Sequence, residues 1–361
     1  MGATDTQQMP AELNPRRIRR RMLQLAAVVL VVVLVVVLGP GLGSLRHQLA
    51  HASPGWVVAA VAFEVLSALC YVVVFRAVFC PGMSWRLSYQ IGMAEQGANS
   101  VLSVSGAGGL ALGAWALRRG GMSVDHIGRR TVAFFFLTSL ANVVGVIVFA
   151  ALYAGGILGH DPNVVLTYAF GVAAVAATLI VLSLPPLLDR TTVDEAALAR
   201  RGRIARVARF ARESLVLGIR DAVALIRQRS LGVIVGSVGT VAFDIAVLGA
   251  AFKAFGYVPP VGVLALGYLI GQLGGNLPIP GGIGGVDGGL IGTFVLYHQP
   301  LAISTAAVLI YHAIAIWVPA LLGSAAFVKL RRTLQREEKP AAMCMPLAEP
   351  VEVKLPARAA A

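Results

Sequence analysis

The chain has 361 residues, of which 57% are hydrophobic and only 13% are charged, and its formal net charge is +13 at pH 7. A soluble domain carries about 25% charged residues. This composition, with a mean hydropathy of +0.79, excludes a soluble globular protein and predicts an all-α, polytopic membrane protein. The positive charge lies in predicted loops on one membrane face, which argues against nucleic-acid binding.

Eight apolar segments follow one another along the chain. Crossing a hydrocarbon layer of about 30 Å takes about 20 apolar residues. Two of the segments, Ser88–Leu117 and Gly262–Tyr297, are irregular and either cross once or turn back. The remaining six are predicted spanning helices: Met22–Leu38, Trp56–Phe79, Thr131–Tyr153, Val164–Leu188, Ser230–Phe252 and Ala302–Val328.

The second irregular segment breaks the helical pattern most strongly. Gly271–Asp287 contains two prolines and seven glycines, which disfavour a continuous helix. In hydrocarbon each unpaired backbone group costs several kcal/mol, so broken backbone must be shielded by protein or line a wet cavity. We therefore expect this segment to be functional.

The distribution of charge decides how the two irregular segments are arranged. If both turn back and the N-terminus is cytoplasmic, 28 of the 30 Lys and Arg residues lie on the cytoplasmic side. Only Arg46 and Lys253 then lie outside, as the positive-inside rule requires. A single crossing by Ser88–Leu117 would place the Arg-rich loop Asp189–Arg229 outside. We therefore predict two re-entrant hairpins in the cell (cytoplasmic) membrane, with both termini cytoplasmic.

This topology predicts two inverted repeats, each of three spanning helices plus a re-entrant broken-helix hairpin. In sequence, Asn99–Gly109 echoes Asn276–Gly285, with an Asn, apolar residues and then glycines; the alternative is two unrelated glycine-rich packing regions. The predicted parts are a basic cytoplasmic N-terminus (1–21), a membrane domain (22–328) with repeats 22–153 and 164–328 and a cytoplasmic basic loop 189–229, and a cytoplasmic, largely disordered tail (329–361).

Within the basic loop, Ile204–Ile226 places apolar residues among arginines. The pattern predicts a basic amphipathic helix. It lies either on the inner leaflet, where anionic lipid attracts arginine, or in the cytoplasm as a solvated helix.

Paired, interrupted segments in the two halves point to a transporter's substrate site near the membrane midplane. The amide of Asn276 either caps a half-helix or holds a lipid head group, and Asn99 is predicted to bind the head group. The prolines shape the bend, and the glycines either allow close helix packing or leave N–H groups open to an anion. The predicted substrate-binding residues are Asn99, Ser103, Ser105, Gly106, Asp244, Asn276, Pro278, Pro280, Gly281, Gly282, Gly284 and Asp287.

The two acids in this set lie in predicted membrane segments, where ionisable groups are costly and mark functional sites. Asp287 either contacts a cationic head group or proton, or is a helix-start acid favoured by the helix dipole. The partner of Asp244 is open between His312 and a donor from a hairpin. His312 itself is either a proton relay or a hydrogen-bonded structural residue.

No motif for a nucleotide, a metal or a nucleophile occurs in the sequence. A Walker-type loop, His-Glu-x-x-His, Gly-x-Ser-x-Gly and paired Cys-x-x-Cys are all missing. We therefore expect no catalytic residue, no metal, no cofactor and no ATP-driven pumping.

The run Asn276-Leu-Pro-Ile-Pro-Gly-Gly-Ile-Gly-Gly-Val-Asp287 resembles a signature of the lysylphosphatidylglycerol synthase transmembrane family, also described as flippase-like. Asn99–Gly109 and Leu117–Ser123 are similar to that family's earlier motif, and the resemblance runs from about Trp56 to Leu330. The best-known members carry a cytosolic aminoacyl-transferase domain after the membrane region. Only about 30 residues follow the last predicted helix here, so we expect a non-enzymatic chain.

The resemblance and the broken hairpins lead to one main functional hypothesis and two alternatives. The main one is a lipid translocase for a phospholipid or lipid-linked head group: an anionic or aminoacylated phospholipid, or a polyprenyl-linked lipid. The first alternative is the membrane subunit of an aminoacyl-phosphatidylglycerol synthase, with a partner enzyme as its catalytic domain. The second is a scaffold for envelope glycolipid assembly.

Overall fold

A computed structural model describes residues 52–102, 107–158, 163–190, 202–273 and 285–336. Within these ranges the chain is almost entirely helical, which confirms the predicted all-α class. The described helices, numbered in chain order, are α1 (Pro54–Phe79), α2 (Trp85–Leu102), α3 (Ala107–Arg119), α4 (Val124–Ala154), α5 (Val164–Arg190), α6 (Gly202–Arg227), α7 (Leu231–Ala254), α8 (Val261–Gly271), α9 (Gly285–Leu296) and α10 (Leu301–Arg336).

Five of the described helices, α1, α4, α5, α7 and α10, are long and apolar enough to cross a membrane. They coincide with five of the six predicted spans, and the sixth, Met22–Leu38, lies outside the described residues. The last helix continues to Arg336, beyond the predicted end of the membrane domain at residue 328. Lys and Arg are good helix formers, and they interact favourably with the negative end of a helix dipole.

The two irregular segments form pairs of short helices. Helices α8 and α9 have 11 and 12 residues, or about 17–18 Å at 1.5 Å per residue, too short to cross about 30 Å of hydrocarbon. They run antiparallel, since Gly271 contacts Leu290 and Gly267 contacts Phe294. We call α2–α3 the first hairpin and α8–α9 the second; their breaks, 103–106 and 274–284, lie outside the described residues.

Helices α1 and α7 pack against each other along their length at the centre of the fold. A Cβ atom on Gly236 of α7 would lie 2.6 Å from the backbone nitrogen of Val74, so only glycine allows this approach. At the other end of the pair, Ser53 donates its N–H to the Ala254 carbonyl at 2.8 Å. The two helices are therefore antiparallel.

The antiparallel pair determines where the hairpins start. The first hairpin follows the C-terminal end of α1, and the second follows the C-terminal end of α7. Because those ends lie at opposite ends of the pair, the two hairpins enter the bundle from opposite ends. This agrees with the inverted repeats, which stay a prediction.

Each hairpin also packs against a long helix of the other half of the chain. In the first, Gly97 of α2 meets Gly323 of α10 so closely that a Cβ on Gly97 would lie 2.7 Å from the Gly323 Cα. In the second, α8 packs on α4, with Leu269 against Gly145 and Gly262 against Tyr153. Small residues at helix contacts are typical of membrane proteins, in which packing rather than water exclusion holds helices together.

The predicted amphipathic helix is present as α6, which packs on α4 and α5. Gly218 lies against Val132, and Asp221 Oδ2 lies 2.8 Å from Arg129 Nε and 3.7 Å from Arg130 Nε. Ile219 and Ala222 are buried. The structure thus adds a protein contact that neither sequence interpretation of this helix included.

Removing the charge that joins α6 to α4 is expected to have a small effect. Asp221 and its partner Arg129 are each about a quarter to a third exposed, and ion pairs of this kind contribute about 0–1 kcal/mol. Asp221→Asn should lower the thermal unfolding temperature in detergent by no more than a few degrees, close to the value for the exposed-site control Glu213→Gln. A collapse of the folded protein would show that this contact matters more than its exposure suggests.

Candidate functional site

A polar cavity of about 310 Å³ lies among α1, α2, α7 and α10. We call it the central cavity. Most of the residues that line it have polar side chains, in a region of the chain that is otherwise strongly apolar. The lining residues are Glu64, Ser67, Gln96, Asn99, Ser100, Thr240, Asp244, Tyr311, Ala315, Ile316 and Pro319.

Asp244 is held in the cavity wall by two hydrogen bonds. Its Oδ1 accepts from Ser67 Oγ at 2.6 Å, and its Oδ2 accepts from the Tyr268 hydroxyl at 2.8 Å. Tyr268 belongs to the second hairpin, so of the two partners that the sequence left open, the structure selects the hairpin donor. Two donors favour the ionised form of the Asp244 carboxylate and fix its orientation.

Glu64 is the second carboxylate of the central cavity. It lies one helical turn before Ser67 on α1 and is only 4% exposed. Its Oε2 has no hydrogen-bond partner among the described residues, and Gln96 Oε1 in the same wall also has none there. A buried polar atom without a partner costs free energy. Both atoms are therefore available to a ligand that donates hydrogen bonds.

The residues just before each hairpin break contact the same cavity wall. In the first hairpin, Asn99 and Ser100 line the cavity. In the second, Gln272 follows α8 directly and donates from Nε2 to the hydroxyl of Tyr311 at 3.2 Å, and Tyr311 lines the cavity. The two hairpins therefore converge on one polar cluster.

The structure gives Asn99 a backbone partner as well as a place in the cavity wall. Its Oδ1 accepts from the N–H of Gly109, in the first turn of α3, at 3.0 Å. This bond caps a half-helix, a role that the sequence analysis did not assign to Asn99. The predicted role of Asn99, contact with a head group, stays a prediction.

A proline contributes to the cavity wall from α10. Pro319 lies inside the helix and has no N–H, so it cannot donate to the carbonyl of Ala315, four residues earlier. Ala315 and Pro319 both line the cavity. Pro319 therefore leaves the Ala315 carbonyl as a backbone acceptor in the wall, in addition to the polar side chains.

Asp287 pairs with His312 beside the cavity. It lies in the first turn of α9, and its Oδ1 is 2.7 Å from His312 Nδ1 on α10. His312 therefore bonds Asp287 and is not the partner of Asp244. Neither residue is part of the described cavity lining, although His312 follows Tyr311 directly in sequence.

The described structure brings together only part of the predicted site. Asn99 and Asp244 share the central cavity, and Asp287 lies on the neighbouring helix pair. The predicted substrate-binding residues did not include Tyr268 or the lining residues Glu64, Ser67, Gln96, Thr240 and Tyr311. Of these, Glu64, an acid inside a span, and Gln96, in a polar patch with Asn99 at the opening of the first hairpin, gave a sequence signal. Nine predicted residues lie outside the described ranges: Ser103, Ser105, Gly106, Asn276, Pro278, Pro280, Gly281, Gly282 and Gly284.

Two acids determine the charge of the site. Among the described residues that line the cavity there is no Lys, Arg or His. The hairpin breaks add no charge either, because residues 103–106 and 274–284 contain no ionisable side chain. The arrangement therefore suits a cation that donates hydrogen bonds.

Comparison with known families places this architecture. The family model described as "Lysylphosphatidylglycerol synthase TM region" matches residues 22–323. Neither the curated proteins nor the solved structures contain a match to the chain. The matched residues include all five described spanning helices or most of each, together with both hairpins. The chain is therefore a multi-pass membrane protein that belongs to the lysylphosphatidylglycerol synthase transmembrane family.

Proposed function

We propose that this protein is a lipid translocase whose cargo carries an ammonium group in its head group. The head group passes through the central cavity while the acyl chains remain in the bilayer. The observation that carries the proposal is the cavity itself, where a buried carboxylate, Glu64, and a partly buried one, Asp244, lie in a membrane domain with no Lys, Arg or His among the described lining residues. No catalytic step is needed for this role.

The electrostatics of the cavity favours a cation as its occupant. Asp244 is oriented by Ser67 and Tyr268, and Glu64 Oε2 has no partner among the described residues. An ammonium donates three hydrogen bonds and neutralises one carboxylate. The oxygens of Gln96 and Tyr311 offer further acceptors in the same wall. An anionic head group alone would face only repulsion from the acids.

The position of the hairpins favours transport over simple binding. Short helices that enter from opposite ends of a bundle bring polar groups to the middle of the membrane, as in transporters with broken helices. Here Asn99 from the first hairpin and Tyr268 from the second contact the same polar cluster. A head group bound there would lie next to residues of both hairpins, which enter from opposite ends of the bundle.

The family supports the choice of an aminoacylated lipid among the candidates. Lysylphosphatidylglycerol, named in the description of the family, carries two ammonium groups on its lysyl moiety. Phosphatidylglycerol has the same backbone without them. The two lipids therefore differ in the chemical group that the acidic cavity would recognise.

Translocation can be measured with the purified full chain in liposomes. Trace lipids carry a fluorophore on the acyl chain, so the head group is unmodified, and dithionite bleaches only the outer leaflet. For labelled lysylphosphatidylglycerol we expect rapid bleaching that exceeds the half of the label present in the outer leaflet. Bleaching beyond that half should be slower for phosphatidylethanolamine and slowest for phosphatidylglycerol. Equal bleaching in protein-free liposomes for all three lipids would overturn the proposed function, and a preference for phosphatidylglycerol would overturn the choice of cargo.

A further inference from the structure

The two carboxylates of the central cavity have different surroundings. Both oxygens of Asp244 accept a hydrogen bond, from Ser67 and from Tyr268, whereas Glu64 Oε2 has no partner among the described residues. The two acids line the same cavity. Because hydrogen bonds from donors favour the ionised form, we expect Asp244 to carry the negative charge and Glu64 to hold a proton when no ligand is bound.

Among the described residues that line the cavity, none supplies a compensating positive charge to this pair. Helix α4 meets α1 at the ring of Phe134, which lies against Tyr71. The only cation within α1, Arg76, lies on the Trp85 ring and donates to the Met83 carbonyl. The titratable groups around the pair are Cys70 and Tyr71 on α1, Glu95 on α2, Tyr268 on α8 and Tyr311 on α10, and Glu95 is hydrogen-bonded to Tyr71.

Two negative charges in a buried space cannot persist together without a counter-charge. In the empty cavity a proton on Glu64 removes the second charge. When an ammonium occupies the cavity, it supplies the positive charge that the proton had supplied. The pair of acids therefore keeps the same total charge in two states. In one state Glu64 holds a proton, and in the other Glu64 is ionised and the cavity holds an ammonium.

We propose that Glu64 is a proton-exchange site, so that entry of an ammonium head group beside Asp244 expels one proton from the Glu64 carboxyl. The O–H bond of Glu64 breaks, its electron pair stays on the carboxylate, and the proton passes to water. The carboxylate then accepts a hydrogen bond from the ammonium. No electron transfer takes place and no co-reactant is consumed. This inference rests on the proposed function and adds the energy source of transport.

Exchange of one ammonium for one proton ties the lipid distribution to the pH gradient. At equilibrium the ratio of lipid between the two leaflets equals the ratio of proton concentrations on the two sides. The lipid therefore accumulates in the leaflet that faces the more acidic solution. A gradient of one pH unit corresponds to about a tenfold ratio.

A gradient experiment in liposomes tests the coupling. The full chain is reconstituted with acyl-labelled lysylphosphatidylglycerol, a pH gradient of about one unit is imposed in either direction, and dithionite reports the outer-leaflet fraction. Wild-type protein should shift the leaflet ratio up to about tenfold toward the acidic side and reverse the shift when the gradient is reversed. Translocation that ignores the gradient would overturn the exchange and leave the proposed function intact. Absence of translocation in liposomes without a pH gradient would overturn both the exchange and the proposed function.

Proton release on binding provides a second readout that does not need transport. Detergent-solubilised protein in weak buffer with a pH dye receives lysylphosphatidylglycerol micelles, with phosphatidylglycerol micelles as the blank. We expect about one proton per bound lipid for the wild type and none for Glu64→Gln. The matched control is Glu95→Gln, a second buried glutamate outside the cavity lining, which should release protons as the wild type does. Binding by the wild type without proton release would overturn the exchange, whatever the variants do.

Discussion

Asp244→Asn should reduce translocation of labelled lysylphosphatidylglycerol by at least about 30-fold. The substitution removes the carboxylate whose ionised form Ser67 and Tyr268 favour, but keeps the size of the side chain and an oxygen that can still accept from one of these two donors. Loss of one partner from a buried, hydrogen-bonded charge pair costs about 2–5 kcal/mol, and about 2 kcal/mol corresponds to about 30-fold. Initial rates of dithionite bleaching in liposomes with equal protein content measure the effect.

The control for this variant is Asp221→Asn, which removes an aspartate from the contact between α6 and α4, outside the cavity lining. It should translocate lipid at close to the wild-type rate. Unfolding temperatures of both variants in detergent separate loss of folding from loss of function. If Asp244→Asn is folded and moves the ammonium lipid as fast as the control does, Asp244 does not bind the head group.

Gly236→Ala should destabilise the protein by about 1–3 kcal/mol, the typical cost of overpacking a close contact. The new Cβ would lie 2.6 Å from both the backbone nitrogen and the Cβ of Val74. Backbone cannot move aside as the end of a flexible side chain can, so α1 and α7 must separate. The same helices carry Glu64, Ser67 and Asp244, so separation would also disturb the site. Thermal unfolding in detergent, followed by tryptophan fluorescence, measures the change.

The matched control is Gly292→Ala on α9, where an added Cβ meets nothing within 4 Å. Alanine is the better helix former by about 1 kcal/mol, so this variant should be as stable as the wild type or more so. Equal unfolding temperatures for the two alanine variants would mean that α1 and α7 are not in close backbone contact at Gly236.

Hydropathy and charge predicted most of the fold. Five spans were identified because an uninterrupted apolar run of about 20 residues matches the thickness of the hydrocarbon layer. The two hairpins were identified because Pro278 and Pro280 interrupt one of them and the distribution of arginines requires both to turn back. The predicted last span ends at Val328 and α10 continues to Arg336, since hydropathy detects the membrane-embedded part of a helix and does not detect its polar continuation.

The composition of the central cavity could not be predicted in the same way. Ser67 and Asp244 are 177 residues apart in sequence, and a serine or tyrosine in an apolar helix looks the same whether it faces lipid or a cavity. The sequence identified Asp244 as costly and allowed it a hairpin donor, but the choice of Tyr268 over His312 depends on which helices are adjacent. His312 contacts Asp287 because α9 packs directly on α10, and this adjacency cannot be read from the sequence.

The most direct test of the acidic cavity is the reactivity of a cysteine placed in its wall. Gln96→Cys in the full chain is treated in liposomes with a cationic or an anionic methanethiosulfonate reagent of similar size, and the rate for the unsubstituted chain is subtracted. A cavity lined by Glu64 and Asp244 and by no described basic residue should favour the cationic reagent by at least about tenfold, and lysylphosphatidylglycerol should slow that reaction. Equal rates for the two reagents, or reactivity that the lipid leaves unchanged, would contradict the assignment of this cavity as the head-group site.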